Sequence, residues 1–192
     1  MAEKTAIVTG ASRGIGRAIA LELAGKGYKV ILNYCGSKVR AEQAAEEICA
    51  AGGQAKAVQC DVSDYIACET FISNIIKEEG RIDVLVNNAG ITRDGLLMKM
   101  SEEDFDAVIN TNLKGCFHCM RFVSRQMLKQ RSGRIINLSS VSGVAGNAGQ
   151  ANYAASKAGV TGLTASCSSP LLSHTYEFPA RSDEAAALQL LQ

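Results

Sequence analysis

Short apolar runs alternate with longer amphipathic segments along most of this 192-residue chain. Five short apolar runs are predicted to be strands: Thr5–Val8, Lys29–Asn33, Ala55–Cys60, Val84–Asn87 and Arg134–Leu138. Amphipathic patterns predict helices between and after them: Ile15–Ala24, Val39–Ala51, Ala67–Glu79, Glu102–Gln130 and Gln150–Leu163. Strands that are apolar on both faces are typical of parallel sheets covered by helices on each side. The alternation therefore predicts an α/β fold with a doubly wound parallel sheet flanked by helices.

The composition of the chain changes near residues 164–167. Gly162 is the last glycine and Lys157 the last lysine, whereas both prolines, Pro170 and Pro179, follow the change. We therefore predict one domain over residues 1–165 and a divergent tail over residues 166–192. Within the tail, residues 183–191 (DEAAALQLL) have the composition of a short helix.

Charge and chain patterning exclude several classes of protein. The 20 basic and 19 acidic residues leave a net charge of +1, which gives no reason to expect a nucleic-acid or membrane-surface partner. No apolar run reaches the ~18 residues of a spanning helix, and the N-terminus lacks the pattern of a signal peptide. We expect a cytoplasmic protein with no nucleic-acid or membrane partner.

The seven cysteines fit that compartment, because an odd, scattered set does not form a disulfide framework. Cys116 and Cys119 form a C-x-x-C pair inside a predicted helix. The sequence has no second Cys or His pair at zinc-like spacing. The apolar surroundings favour buried structural thiols over a metal or redox centre, and no metal site is expected.

A glycine-rich turn follows the first predicted strand. Gly10, Gly14 and Gly16 are spaced G-x-x-x-G-x-G, and a predicted helix begins at once. Gly10 permits the tight turn, Gly14 lets the backbone approach a pyrophosphate, and Gly16 lets helix and strand pack closely. Because helix N-termini bind phosphate, the motif predicts a dinucleotide-binding site on a Rossmann-like sheet.

The residues after the second strand indicate which dinucleotide is bound. An NAD site places a carboxylate there for the ribose 2′-hydroxyl, but residues 33–38 (NYCGSK) contain none. Arg13, Ser37, Lys38 and Arg40 could instead receive a 2′-phosphate, although solvated surface residues would have the same composition. The sequence therefore favours NADP(H).

Polar residues also follow the third and fourth strands. Asp61 and Val62 come after the third strand, where a carboxylate can accept a hydrogen bond from the adenine amino group. The fourth strand leads into Asn87-Asn88-Ala89-Gly90. These amides either tie backbone segments together or contact the ribose, and the sequence leaves both roles open.

The strongest catalytic candidate consists of Ser140, Tyr153 and Lys157. Ser140 follows the fifth strand, and the stretch YAASK at 153–157 opens the next helix. Residues four apart share a helical face, so Lys157 is predicted to lie beside Tyr153. A nearby ammonium favours the phenolate form, which makes the tyrosine a usable general acid or base. The Ser140 hydroxyl can polarise a carbonyl group.

Together these motifs resemble the short-chain dehydrogenase/reductase family. The matching stretches are TGASRGIG at 9–16, NNAG at 87–90, TNLKG around Asn112, SSVSG around Ser140 and YAASK at 153–157. Within that family, residues 91–100 (ITRDGLLMKM) and 146–160 (GNAGQANYAASKAGV) look like the 3-oxoacyl-(acyl-carrier-protein) reductases of type II fatty acid synthesis. The resemblance covers residues 3–165.

The resemblance implies an NADPH-dependent oxidoreductase that reduces a 3-oxoacyl thioester to the 3-hydroxyacyl form. Tyr153 would protonate the keto oxygen, Ser140 would hold that oxygen, and Lys157 would bind the ribose and tune Tyr153. Asn112 would complete the tetrad by anchoring a water relay to Lys157. The family also implies NADP(H) contacts at Gly10, Ser12, Arg13, Ile15, Asp61, Val62 and Asn88.

Partners follow from the same resemblance. It implies acyl carrier protein as the carrier of the substrate, and a homo-oligomer, which in the family is a tetramer. Acyl carrier protein is acidic, and Lys129, Arg131 and Arg134 lie near the end of the long predicted helix. Arg121, Arg125 and Lys129 also recur every four residues. These side chains form either a docking patch or a solvated helix face.

The resemblance stops after about residue 165. Family members continue with a sixth strand, a substrate-covering helical segment and a seventh strand, which the tail does not match. We therefore expect a sheet lacking the usual last two strands, with an unpaired edge at the fifth strand unless the tail covers it. Two alternatives stay open. One is a catalytically silent relative that binds nucleotide or pairs with a full-length subunit, and the other is a reductase of acetoacetyl-CoA or another small ketone.

Overall fold

Five strands lie where the apolar runs predicted them. The computed structural model describes residues 3–167 and the strand Ser173–Glu177. The strands are β1 (Thr5–Val8), β2 (Lys29–Tyr34), β3 (Gln54–Gln59), β4 (Val84–Asn87), β5 (Arg134–Leu138) and β6 (Ser173–Glu177). Every neighbouring pair of strands is parallel, in the order β3-β2-β1-β4-β5-β6. This is the doubly wound Rossmann order, so the predicted fold class is confirmed.

Helices cover both faces of the sheet. They are α1 (Gly14–Gly25), α2 (Lys38–Ala50), α3 (Tyr65–Glu79), α4 (Glu102–Val108), α5 (Gly115–Gln130), α6 (Ser142–Ala145) and α7 (Ala151–Cys167). In β1, Ile7 packs into the core beneath α3 and α5, whereas Val8 packs into the core beneath α1 and α2. Opposite burial of successive residues explains why the strands are apolar throughout. No helix of the described residues is long and apolar enough to cross a membrane.

The long helix predicted over Glu102–Gln130 is interrupted. A π-helical turn, Ile109–Lys114, separates α4 from α5 and contains Asn112. Because the chain continues in the same direction through this turn, the apolar pattern does not reveal it. Cys116 and Cys119 lie in α5 and are buried, as the apolar pattern around them predicted.

Part of the tail completes the sheet beside β5. Ser173 pairs with Arg134, and Glu177 pairs with Leu138, in parallel register. The sequence predicted a sheet ending at the fifth strand unless the tail covered its edge. The tail supplies β6 there, so the described sheet has one strand more than expected, and the backbone groups at that edge of β5 gain partners. Residues 183–191, predicted to be helical, lie outside the described part, and the domain boundary at 165 stays a prediction.

Candidate active site

Two adjoining clefts open at the carboxyl ends of the strands. The first, of about 650 Å³, lies beside the end of β5 and α7, and the second, of about 590 Å³, lies beside the ends of β1, β2 and β3. Arg13, Ile15 and Asn88 line both clefts. Ligands of doubly wound sheets bind at this edge, where the strand order reverses, and that point lies between β1 and β4 here. The two clefts therefore form the candidate site.

The glycine-rich turn after β1 borders the second cleft. Gly10 and Gly14 have φ angles of 64° and 54°, in the left-handed region that favours glycine. A Cβ atom at Gly16 would lie 2.4 Å from Asn88 Nδ2 and 2.6 Å from the Gly10 carbonyl oxygen. A Cβ atom at Gly14 would meet nothing within 4 Å. The turn thus combines close packing at Gly16 with open space at Gly14, which is the arrangement predicted for a phosphate-binding turn.

Asn88 holds the glycine-rich turn in place. Its Nδ2 donates hydrogen bonds to the carbonyl oxygens of Thr9 (2.8 Å) and Gly10 (3.1 Å). The backbone N–H groups of Asn88 and Ala89 both donate to Thr9 Oγ1 at 3.0 Å. The side-chain amide therefore supports the backbone, one of the two roles that the sequence left open, and the residue also lines both clefts.

The second cleft has the chemistry of a site for a dinucleotide with an additional phosphate. Helix α1 begins here with no side-chain cap and no acidic residue in its first turn, so its N-terminal end suits an anion. Arg13 and Ser37 line the cleft. Lys38 and Arg40 do not line this cleft. Lys38 pairs with Glu42 at 3.7 Å, and Arg40 is exposed on α2.

Apart from Lys38 and Arg40, the predicted cofactor residues all line one cleft or the other. At the end of β3, Asp61 Oδ1 accepts hydrogen bonds from the N–H (2.9 Å) and hydroxyl (2.7 Å) of Ser63, which fixes the carboxylate at the edge of the second cleft. Val62 lies beside it. The second cleft contains Gly10, Ser12, Arg13, Gly14, Ile15, Gly16, Ser37, Asp61, Val62 and Asn88, and the first contains Tyr153 and Lys157.

Three of the four predicted catalytic residues line the first cleft together: Ser140, Tyr153 and Lys157. Ser140 lies just beyond β5, and its Oγ accepts a hydrogen bond from the Ser142 N–H at 3.2 Å. The Lys157 Nζ lies 5.7 Å from the centroid of the Tyr153 ring, because residues four apart in α7 share a face. A phenol, an alcohol and an ammonium group therefore border one space.

Lys157 is buried at the base of this cleft. The residue is 6% exposed, and its Nζ donates a hydrogen bond of 2.6 Å to the Leu138 carbonyl oxygen. Burial disfavours the charged form and lowers the pKa of Lys157 to about 8, against a smaller opposing effect of Cys116. Burial also raises the pKa of the Cys116 thiol to about 12, so that thiol is neutral at physiological pH.

Asn112 lies behind the clefts rather than in them. Its Oδ1 accepts a hydrogen bond from the Ile91 N–H (2.8 Å), and its Nδ2 donates to the Ile91 carbonyl oxygen (3.0 Å) and to Ser156 Oγ (3.1 Å). The side chain thus pairs with Ile91 much as a neighbouring strand would. Asn112 and Lys157 also line one small interior cavity. The water relay that the resemblance implies for Asn112 stays a prediction.

Two buried asparagines at the site were not predicted. Asn33, the last residue of the second predicted strand, donates to the Cys60 carbonyl oxygen (2.9 Å) and accepts from the Gly10 N–H (3.4 Å), joining three strand ends. Asn152 directly precedes Tyr153 and is fully buried. The sequence carried a signal for each: Asn33 lies at the end of a predicted strand, and Asn152 lies next to the catalytic candidate Tyr153.

The basic residues of α5 lie away from the clefts. Arg121, Arg125 and Lys129 line an open groove that also contains Glu69 of α3. The Arg121 Nε donates a hydrogen bond of 2.8 Å to the Tyr65 hydroxyl. The predicted stripe therefore lies on an accessible face, and its role in docking stays a prediction.

Comparison with known proteins places this geometry in a family. The family model described as short chain dehydrogenase matches residues 4–176. The chain belongs to this family. The resemblance drawn from the glycine-rich turn and the YAASK stretch is therefore confirmed.

Curated relatives of this short chain dehydrogenase include the 3-oxoacyl-(acyl-carrier-protein) reductase FabG of Staphylococcus aureus (strain Mu50), which is 58% identical over 138 residues. The 3-oxoacyl-(acyl-carrier-protein) reductase of Synechocystis sp. (strain PCC 6803) is 54% identical over 138 residues. Both alignments cover 72% of this chain and 56% of the relative. The chain therefore spans about half the length of the curated relatives that it matches.

Among solved structures, the fold is similar to a metagenomic short-chain oxidoreductase crystallised in complex with NADP. The TM-score is 0.92 at 36% sequence identity, and the match covers 98% of this chain and 89% of that chain. The three-dimensional structure as a whole, and not only its strand order, therefore confirms the Rossmann-like fold.

Proposed function

We propose that this short chain dehydrogenase reduces 3-oxoacyl thioesters of acyl carrier protein to 3-hydroxyacyl thioesters with NADPH. The observation that carries the proposal is that Ser140, Tyr153 and Lys157 line one cleft, which adjoins the cleft of the glycine-rich turn. Relatives named as 3-oxoacyl-(acyl-carrier-protein) reductases support the substrate class. The related structure in complex with NADP supports the cofactor.

The residues that would hold NADPH line the second cleft. Gly14 leaves open space beside the N-terminal end of α1, which suits a pyrophosphate. Arg13 and Ser37 suit a 2′-phosphate, and Asp61 suits the amino group of adenine. When bound, NADPH supplies the hydride that the carbonyl carbon receives.

Tyr153 is the general acid of the proposed reaction. Its hydroxyl gives a proton to the keto oxygen as negative charge develops there. The Ser140 hydroxyl donates a hydrogen bond to the same oxygen and stabilises that charge. The two side chains come from different elements, α7 and the segment after β5, so the carbonyl group is held from two directions.

Lys157 supports Tyr153 in this reaction. Its ammonium group stabilises the phenolate that remains after proton transfer, and its remaining hydrogens suit the ribose hydroxyls. The hydrogen bond to Leu138 fixes the ammonium group, and burial strengthens its electrostatic effect on the nearby ring. With a pKa of about 8, Lys157 stays mostly protonated at neutral pH.

We also propose an acyl carrier protein partner and self-association of the chain. The exposed Lys129, Arg131 and Arg134 support docking of an acidic carrier. Leu97 and Met98, which are 75% and 86% exposed, support an apolar contact between copies.

The proposed function is tested by comparing three substrates at one NADPH concentration: acetoacetyl-(acyl carrier protein), acetoacetyl-CoA and a small ketone without a thioester. The proposal predicts the highest kcat/KM for the carrier-protein thioester. A higher value for acetoacetyl-CoA or the small ketone would support the small-ketone reductase instead. Folded protein that turns over none of them would support the catalytically silent relative.

A further inference from the structure

The loop after β4 forms part of the wall of the first cleft. Ile91, Thr92 and Arg93 line this cleft together with Tyr153. No helix or strand includes residues 91–96 of the described chain. The backbone polar groups of such a segment need partners outside a regular ladder. Whatever supplies these partners therefore determines the shape of the cleft.

The Asn152 side chain holds this wall against the helix of Tyr153. Its Nδ2 donates hydrogen bonds to the carbonyl oxygens of Arg93 (2.9 Å) and Asp104 (3.2 Å). Its Oδ1 accepts a hydrogen bond from the Tyr153 N–H at 2.8 Å. Asn152 is 0% exposed and does not line the cleft. One buried amide thus joins the loop, α4 and the first turn of α7.

Two neighbouring hydrogen bonds continue this contact along the loop. The Gly95 N–H donates to the Gly149 carbonyl oxygen at 2.8 Å, and Gln150 Nε2 donates to Asp94 Oδ2 at 3.0 Å. Three consecutive loop residues, 93 to 95, are therefore bonded to residues 149–152. The bond from Gln150 is exposed, whereas Asn152 is buried. Loss of the buried amide removes two hydrogen bonds that solvent does not readily replace, which costs more than loss of a solvated bond.

We propose that Asn152 is a positioning residue that sets the spacing between Tyr153 and the cleft wall of residues 91–93. The inference rests on the proposed function, because it concerns the same site. A keto substrate that touches the wall is oriented by the same amide that fixes the backbone of Tyr153. A displacement of about 1 Å at a reacting centre can lower the rate about 100-fold, so a small shift of the wall should be measurable.

The Asn152→Asp variant tests this role at nearly constant volume. It replaces the donating amide group with a carboxylate that faces two carbonyl oxygens. We expect kcat to fall about 10-fold or more and KM for the keto substrate to rise, while NADPH affinity, measured by nucleotide fluorescence, stays within about twofold. NADPH deuterated at the transferred hydrogen should give a larger isotope effect than in the wild type, because the chemical step becomes slower relative to binding and release.

Asn152→Ala and Gln150→Ala complete the experiment. Asn152→Ala removes the same two donors without adding charge, and it should shift KM and the isotope effect in the same direction as Asn152→Asp. Gln150→Ala removes two exposed bonds, the one to Asp94 and one accepted from Asn147 Nδ2, and should change kcat/KM less than about threefold.

A purely structural role would lower the melting temperature and the amount of active enzyme. It would leave KM and the isotope effect unchanged. That result for both Asn152 variants overturns the inference while the proposed function stands. A wild-type chain that binds NADPH but reduces no 3-oxo substrate refutes the proposed function, and the inference with it.

Discussion

The Lys157 Nζ lies 2.6 Å from the carbonyl oxygen of Leu138, the last residue of β5. This hydrogen bond ties α7 to the strand end beside which Ser140 lies. It also fixes a buried cation next to the Tyr153 ring, 5.7 Å from its centroid. The contact thus links the fold to the proposed chemistry, because the same side chain that joins helix and strand borders the candidate catalytic cleft.

Burial of Lys157 makes stability depend on pH in a defined direction. The pKa of Lys157 is about 8 in the folded protein and 10.5 ordinarily, so between these values the unfolded chain holds a proton that the folded chain has lost. Unfolding then takes up a proton, and stability rises with pH.

Substitution of this lysine isolates the effect. We expect the stability of the wild type relative to Lys157→Met to rise by about 2 kcal/mol from about pH 7 to about pH 10. Urea unfolding of both proteins at each pH measures it, and the comparison cancels the titration of groups that they share. A difference that is constant with pH, or that falls, would contradict the buried position of the ammonium group.

Two glycines of the turn after β1 should respond differently to alanine. At Gly16 the added methyl group would clash with Asn88 and the Gly10 carbonyl, so Gly16→Ala should destabilise the fold by about 1–3 kcal/mol. At Gly14 it meets no protein atom, and the cost should be about 1–2 kcal/mol, from the positive φ alone.

The NADPH affinity of the Gly14 variant tests whether this glycine lies beside the pyrophosphate. Gly14→Ala should weaken NADPH binding more than its stability loss explains, because its methyl group extends into the space proposed for the pyrophosphate. Urea unfolding and NADPH titration measure both quantities. Gly27→Ala is the matched control, since its φ is also positive (81°), its added methyl group meets no atom within 4 Å, and it lines neither cleft. Equal NADPH affinity in the Gly14 and Gly27 variants would remove Gly14 from the proposed phosphate site.

Arg13 should decide between the two nicotinamide dinucleotides. It lines both clefts, and a guanidinium group that binds a 2′-phosphate contributes about 1.5–3 kcal/mol. Arg13→Gln should therefore raise the Kd for NADPH about 10- to 100-fold and leave that for NADH nearly unchanged. Arg17→Gln is the control. Arg17 lies one turn beyond Arg13 in α1, and its guanidinium group pairs with Glu47 of α2. If both arginine variants bind NADPH alike, the 2′-phosphate contact lies elsewhere.

The sequence predicted the sheet better than the helices. The bounds of β1, β4 and β5 agree with the predicted runs, because strands buried on both faces need continuous apolar residues. The π-helical turn at Ile109–Lys114 was not predicted, since it leaves the chain direction and apolar pattern intact. The strand Ser173–Glu177 was missed because SHTYE contains no apolar run.

The sequence predicted those residues of the candidate site whose positions follow from a local motif. Tyr153 and Lys157 follow from helical spacing, and the glycines follow from their turn. The buried amide of Asn152 was not predicted, because its partners Arg93 and Asp104 are distant in sequence and only the folded chain brings them together.

The central claim is that Tyr153 protonates a 3-oxoacyl thioester in a working reductase. It is tested most directly by NADPH consumption with acetoacetyl-(acyl carrier protein), comparing the full chain with Tyr153→Phe. We expect turnover by the wild type and a loss of at least about 100-fold in the variant, with NADPH still bound and the melting temperature unchanged. Turnover retained by Tyr153→Phe, or absent from folded wild type that binds NADPH, would contradict the account.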